Sequence, residues 1–225
     1  MGRYIRNQNS ISKEENQILM GSKVCVVGCG GLGGHIIEML ARLGLGSITA
    51  IDGDVFDESN LNRQILSHEN NIGQSKSQAA KSRIKIVNSD IDLIAIKKYV
   101  DMDNGMELLK GHDLVVDALD NIESRFIIQA ICKDLGIPLI HGAIAGWYGQ
   151  VTTIFPGDDS LDKIYRNKQS GGVEKELGNP SFTSSLISSI QVAEVVKVLL
   201  KKGTNLRNKL LFIDTLEDEY NIMDL

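Results

Sequence analysis

The sequence predicts an α/β fold: a Rossmann-like, mostly parallel sheet flanked by helices, with antiparallel strands added in the C-terminal half. Three observations predict it. Lys23 to Val27 is a short apolar run broken at once by Gly28-Cys29-Gly30-Gly31-Leu32-Gly33-Gly34, and a helical face at Ile36, Ile37, Leu40, Ala41 and Leu43 follows. Strand and helix patterns then alternate as far as Ile144, which is how a parallel sheet is written in sequence. Beyond it, Gln150 to Phe155 follows so closely on Gly146 and Gly149 that a hairpin-like antiparallel strand is favoured over another crossover.

The elements follow in order. Ser12-Lys13-Glu14-Glu15 has the form of a capping box, in which serine and glutamate satisfy the free amides of a first helical turn, and opens a short helix through about Leu19. The strand at Lys23 to Val27, the glycine turn, a helix ending at Gly44 and a strand at Ser47 to Ile51 complete one β-α-β unit, stopped by Asp52-Gly53-Asp54. A helix from about Ser75 to Val87, a strand at Asp92 to Lys97 and a short helix at Asn104 to Leu109 come next. They precede a strand at Asp113 to Leu119, a helix at Ile122 to Leu135 and a strand at Pro138 to Ile144. Gly, Asp, Ser, Asn and Lys dominate Pro156 to Pro180, which reads as a long crossover loop. Ser184 to Leu200 is an apolar helix, and Lys209 to Asp214 with Glu219 to Met223 a terminal strand pair. The 225 residues therefore read as one domain: an N-terminal helical arm (1–22), a nucleotide-binding core (23–145), the crossover loop (156–180) and a C-terminal helix with strands (181–225).

Composition excludes several classes. Hydrophobic residues at 42%, charged residues at 24% and only 3 prolines do not suit a disordered, collagen-like or disulfide-scaffold chain. A net charge of -5 argues against a nucleic-acid partner, which needs a basic surface, although a local basic site stays open. The polar start and the lack of any run approaching roughly 18 apolar residues predict no secretory signal and no membrane span. Cys25, Cys29 and Cys132 lie in or beside apolar runs without a C-x-x-C pair, the pattern of buried thiols in a reducing cytoplasm.

Gly28, Gly30 and Gly33 match G-x-G-x-x-G between a strand and a helix, the context that gives the motif meaning. Missing β-carbons let a phosphate or ribose approach the backbone, and the helix start offers amides to an anion. Asp52 is placed to accept from a ribose, so on these residues alone NAD would be the first guess. Asp54, Asn60, Arg63, Gln64 and Lys76 do not suit it, because hydride transfer needs no polar and cationic cluster at the same sheet edge. Asp120, just after a strand, suits a magnesium ion held against phosphates. Taken singly, each charge reads as a solvated surface residue. Asp52-Gly53-Asp54 fails as a calcium loop, since Phe56 stands at the next ligand position. The histidines His35, His68, His112 and His141 share no metal-ligand spacing and read as structural. Trp147 and Tyr148 read as packing residues with some room for contact with a peptide tail.

Taken together, IDGDVFDESNLNRQ after GCGGLG, then IG-x-x-K with Lys76, then Asp117-Ala118-Leu119-Asp120-Asn121, resembles the ThiF/MoeB/HesA family of ubiquitin-activating-enzyme-like adenylyltransferases. The resemblance runs from Arg3-Tyr4-Ile5-Arg6 to the closing LLFIDTLEDEYNIMDL. It implies a homodimer that uses ATP and Mg2+ to adenylate the C-terminal glycine carboxylate of a small ubiquitin-fold sulfur-carrier protein ending in Gly-Gly, for sulfur transfer in thiamine, molybdopterin, tungstopterin or related biosynthesis. Carried over, Gly31 lies against the nucleotide, Asp52 binds ribose, Asn60, Arg63 and Lys76 contact phosphates, and Asp120 holds magnesium. Arg6 reaches the site of the other subunit. Ser59, Leu61, Asn62, Gln64 and Asn121 complete the matching segments.

The chain departs from that pattern in two places. Many relatives carry two C-x-x-C pairs for a structural zinc; this chain has neither, and Tyr165-Arg166-Asn167 stands where the first would fall, so no zinc is expected. The loop at Pro156 to Pro180 has no cysteine, so no thioester on this protein is expected, and its Gly171-Gly172 is a candidate lid, with disorder the competing reading. The alternatives are a tRNA threonylcarbamoyladenosine dehydratase, a nucleotide-binding interaction module without turnover and, more remotely, an NAD-dependent oxidoreductase.

Overall fold

The computed structural model describes residues 2–166 and 174–225. In chain order the elements are α1 (Lys13–Gly21), β1 (Lys23–Val27), α2 (Gly31–Leu43), β2 (Ser47–Ile51), α3 (Lys76–Val87), β3 (Asp92–Ile96), α4 (Gly105–Leu109) and β4 (Leu114–Asp117). There follow α5 (Ile122–Leu135), β5 (Leu139–Ala145), β6 (Tyr148–Ile154), α6 (Ser160–Ile164), α7 (Glu174–Leu177), α8 (Ser181–Leu200), β7 (Lys209–Asp214) and β8 (Glu219–Asp224). The strands form one sheet in the order β3-β2-β1-β4-β5-β6-β7-β8. Pairing is parallel from β3 to β5 and antiparallel from β5 to β8, as the sequence predicts.

The two-residue period of β1 shows how the sheet separates its two cores. Val24 and Val26 point to a cluster with Ile36, Ile37 and Leu40 of α2 and Ile187 and Val195 of α8. Cys25 and Val27 point the other way, to Ile128 and Ile131 of α5 and Leu161 of α6. Helix α8 is long and apolar enough to cross a membrane by composition alone, yet Ile187 and Val195 are fully buried against the sheet.

Two local expectations need correction. The stretch read as an uninterrupted crossover loop carries α6 and α7, and α8 begins at Ser181 rather than Ser184. Helix α6 forms because Leu161, Ile164 and Tyr165 fall on one helical face and pack into the second core, a signal too short to stand out among polar neighbours. The arm before α1 folds as a 3-10 helix at Gly2–Asn7. Asn167 and Gly171-Gly172 lie outside the described residues.

Candidate active site

In this strand order the connections from β1 and β4 leave the sheet on opposite faces. The crevice this opens at their carboxyl ends is where open α/β sheets bind ligands. An open cleft of about 950 Å3 occupies that position.

Its floor is the glycine turn between β1 and α2, and the glycines there divide by role. Gly28 has φ +96°, and a β-carbon on it would lie 2.5 Å from the Ala118 carbonyl oxygen; one on Gly33 would lie 1.8 Å from the Gly28 carbonyl oxygen. Both are required for the close packing of strand, turn and helix. Gly30 differs. A β-carbon there would meet only the Gln64 side-chain amide, at 3.6 Å, so the protein leaves room above it that faces the cleft. Gly31 is intermediate, with the Ser184 hydroxyl at 3.2 Å from such a carbon.

Asp52 follows β2 directly and is anchored at both oxygens, accepting from the Cys29 amide at 2.7 Å and the Asp54 amide at 2.8 Å. Burial raises its pKa, against these hydrogen bonds. Asp54 accepts from the Tyr99 hydroxyl and from Lys76 Nζ at 3.2 Å. Burial pushes the Asp54 carboxyl up, but the Tyr99 hydroxyl and the Lys76 charge outweigh it and hold the group below its ordinary value. Lys76 opens α3, its side chain only 10% exposed, and faces the cleft.

The Asp57-to-Gln64 segment makes the next wall. The Asp57 carboxylate caps a short 3-10 turn at Glu58–Asn60, and the Asn60 side chain returns the bond to the Asp57 amide. Arg63 is steadied by the Ser59 carbonyl at 3.0 Å and the Asn62 side chain at 2.8 Å. Gln64 is buried beside Gly30, and its Oε1 has no hydrogen-bond partner among the described residues. Asp120 stands exposed at the opposite edge, on the turn between β4 and α5, while Asn121 accepts from the Ser124 amide and caps α5.

Of the residues singled out in the sequence, the structure brings Gly28, Gly30, Gly31, Asp52, Asp54, Arg63, Gln64, Lys76, Asp120 and Asn121 to this cleft. Gly33, Ser59, Asn60, Leu61 and Asn62 support it from outside its lining. Arg6 is exposed on the N-terminal arm, away from the cleft. The arm is seated at the far end of α2: Tyr4 lies against Gly44 and accepts from Asn88 Nδ2 at 2.8 Å. Sequence reading missed Tyr99, Arg125 and Asn179, all of which line the cleft. The spacing Asn121 to Arg125, one helical turn from the cap, was the one signal for Arg125. Tyr99 and Asn179 carry no local pattern.

Other side chains settle into structural roles. Trp147 packs on Phe182 with ring centroids 4.7 Å apart and Tyr148 stacks on Phe212, although Trp147 keeps 44% of its surface exposed. All three cysteines are buried free thiols; burial raises Cys25 and Cys29 well above their ordinary values and pushes Cys132 up to about 12. None of them is a thiolate nucleophile. Among the described residues no group of three or more His, Cys, Asp or Glu side chains could hold a metal by itself.

The cleft therefore offers a helix N-terminus with open space over Gly30, two cations at Arg63 and Lys76, and a carboxylate at Asp120 on the facing edge. This arrangement is chemically suited to a polyanion with a cation beside it. A sequence profile of the ThiF family matches residues 4–225. The chain is 33% identical over 222 residues to the SAMP-activating enzyme E1 of Haloferax volcanii, covering 96% of this chain and 82% of that one. It is 32% identical over 210 residues to the molybdopterin-synthase adenylyltransferase of Haemophilus influenzae, covering 91% and 86% respectively. Against the adenylyltransferase and sulfurtransferase MOCS3 of Caenorhabditis briggsae identity is 34%, but the chain spans only 55% of that protein. Among solved structures, Escherichia coli MccB in complex with MccA-N7isoASN superposes with a TM-score of 0.82 at 22% identity, over 99% of this chain and 71% of that one. That likeness shows the fold.

Proposed function

The chain belongs to the ThiF family, and from that premise we propose that it is an ATP-dependent adenylyltransferase activating the C-terminal carboxylate of a small ubiquitin-fold sulfur-carrier protein. The observation that carries this reading is the convergence of Gly30, Arg63, Lys76 and Asp120 on one cleft at the carboxyl edge of the parallel strands.

The residues suit the chemistry. A terminal carboxylate has an ordinary pKa of roughly 3.3–3.7 and is ionised at neutral pH, so it needs no general base to attack phosphorus. Its oxygen bonds to the α-phosphorus of ATP as the bond to the bridging oxygen of pyrophosphate breaks, giving an acyl adenylate. The obstacle is repulsion between carboxylate and triphosphate. Lys76 and Arg63 relieve it by presenting positive charge from a fixed scaffold, and the start of α2 offers amides to the phosphates. Asp52, already oriented by two backbone amides, accepts from the ribose. Asp120 is exposed and makes no hydrogen bond of its own among the described residues, as suits a carboxylate that would hold Mg2+. Magnesium there would neutralise charge on the leaving pyrophosphate. With every cysteine buried, the product is a released or handed-on adenylate rather than a thioester on this chain.

The reading includes a homodimer. Tyr4 docks the arm at the far end of α2, a helix of 13 residues and so about 20 Å long, from the cleft at its start. Arg6 then serves the cleft of a second copy. Buried unpaired thiols and an ATP substrate fit a cytoplasmic site of action.

The test is Mg2+-dependent ATP–pyrophosphate exchange with a panel of small carriers ending in Gly-Gly, comparing wild type with Asp120→Ala and Arg6→Ala. Exchange by wild type, lost in both variants, is the expected result. Preference for NAD over ATP, or tight ATP binding with no exchange on any carrier, would count against it.

A further inference from the structure

Asp120 has no hydrogen-bond partner of its own among the described residues, so its neighbours must set its position. Leu119, the residue before it, is held at both ends of its peptide unit: its amide donates to Asp117 Oδ1 at 3.0 Å, and its carbonyl accepts from Arg125 Nη2 at 2.7 Å. Both partners belong to a buried polar network beneath the cleft. Asp117 and His141 are fully buried and Arg125 is 2% exposed. His141 Nδ1 lies 2.6 Å from Asp117 Oδ2, and His141 Nε2 lies 3.1 Å from the Tyr165 hydroxyl. That hydroxyl also accepts from Arg125 Nη1 at 2.9 Å and from Gln150 Nε2 at 2.9 Å.

Connectivity fixes the direction of each bond. Arg125 Nη1 and Gln150 Nε2 are donor atoms, so both place hydrogens on the Tyr165 oxygen, and the hydroxyl proton points to His141 Nε2. His141 then carries its proton on Nδ1 and donates to Asp117. Burial holds the imidazole pKa below its ordinary value, against the pull of Asp117, and so favours the neutral ring this requires. Gln191 Nε2 closes the arrangement from α8 by donating to the Asp117 carbonyl at 2.8 Å. The circuit runs from Tyr165 through His141 and Asp117 to the Leu119 amide, and from Tyr165 through Arg125 to the Leu119 carbonyl.

We propose that Tyr165, with Arg125 and His141, is a positioning residue for Asp120, locking the turn between β4 and α5 from the segment that follows α6. The inference rests on the adenylyltransferase reading for its kinetic consequence, while its structural consequence is independent of it. Tyr165 touches no reacting atom; it acts through Leu119. Without its hydroxyl, Arg125 Nη1 loses this acceptor, His141 Nε2 and Gln150 Nε2 keep only their longer mutual contact at 3.4 Å, and the turn carrying Asp120 loosens.

The experiment uses the full-length protein and Tyr165→Phe. Amide hydrogen exchange, read without nucleotide or metal, should quicken in the Ala118–Asn121 segment and stay unchanged in β1. In pyrophosphate exchange, kcat should fall about tenfold to a hundredfold with KM for ATP within about twofold, the signature of a misplaced rather than missing group. In an Asp120→Asn background the same substitution should have no further effect, because a residue acting through Asp120 has nothing left to position. Should Tyr165→Phe fail to fold, Arg125→Lys keeps the charge, cannot span both partners, and carries the same expectations. Unchanged hydrogen exchange at the turn, or equal losses in both backgrounds, would overturn the proposal. Absence of exchange in wild type would instead sink the adenylyltransferase reading and leave the hydrogen-exchange result to decide this one.

Discussion

Lys76 and Asp54 form an ion pair at 3.2 Å in which the cation is the buried partner: the lysine side chain is 10% exposed, the aspartate 49%. A lysine so placed has been removed from water in advance and aimed at the cleft, with Asp54 holding its ammonium in position. Lys76→Ala should lower the rate of pyrophosphate exchange on the order of a hundredfold or more. Asp54→Asn should cost less, because it removes the holder and leaves the cation. Equal losses, measured as kcat/KM for ATP, would mean that Asp54 itself contacts the nucleotide.

The two kinds of glycine in the turn separate by experiment. Gly33→Ala should fail to fold or unfold well below wild type, since its β-carbon would meet the Gly28 carbonyl oxygen at 1.8 Å. Gly30→Ala should still fold, as its nearest neighbour is a side-chain amide at 3.6 Å, with a stability loss of about 1–3 kcal/mol because its φ of −82° and ψ of −139° lie outside the regions alanine prefers. It should nonetheless weaken ATP binding about tenfold or more by filling the space a phosphate needs. Calorimetric titration with ATP and thermal melts of both variants decide this, and normal ATP affinity in Gly30→Ala would refute the assigned phosphate position.

Stability has its own pH signature in Glu38. This buried carboxylate on α2 accepts from Arg83 of α3 at 2.9 and 3.0 Å and from Arg42 at 2.7 Å. The Arg83 hydrogen bonds hold its pKa below the ordinary 4.5, Arg42 adding to them against the cost of burial. A depressed native pKa stabilises the fold above 4.5, and that contribution disappears as pH falls through the lower native value. Because both arginines are substantially exposed, solvent screens the pair, and Glu38→Gln should cost about 1–2 kcal/mol at neutral pH. Melting curves of wild type and variant should therefore converge in acid. A constant gap across the whole pH range would mean that the loss is one of packing.

What could be read from the sequence was local. Lys23–Val27, Ser47–Ile51 and Lys209–Asp214 are bounded in the fold as periodicity and glycine placement predict, because each boundary is written in adjacent residues. The cleft was legible for the same reason: the glycine turn and Asp52 each follow a strand end, and the Asn60-to-Gln64 run belongs to the contiguous motif that carries the family resemblance. Tyr165 and His141 were not. They meet across 24 residues and bond partners on other strands and helices, so no local spacing marks them, and His141 reads in sequence as an ordinary histidine. The seat of the N-terminal arm was not legible either, since Tyr4 acquires it only when Gly44 and Asn88 are brought together.

The position of that arm makes a final prediction. If Arg6 serves the cleft of a second copy while Asp120 serves its own, Arg6→Ala and Asp120→Ala each disable both sites of their own homodimer. A mixed dimer restores one site: the cleft with an intact Asp120 receives Arg6 from the chain that lacks Asp120. Random reassembly of equal amounts gives half mixed dimers, each with one working site of two, so exchange should recover to about a quarter of wild type. The measurement is pyrophosphate exchange before and after co-refolding of the two inactive variants. If Arg6 instead completed the cleft of its own chain, every cleft in the mixture would lack one residue or the other, and activity would not return at any mixing ratio.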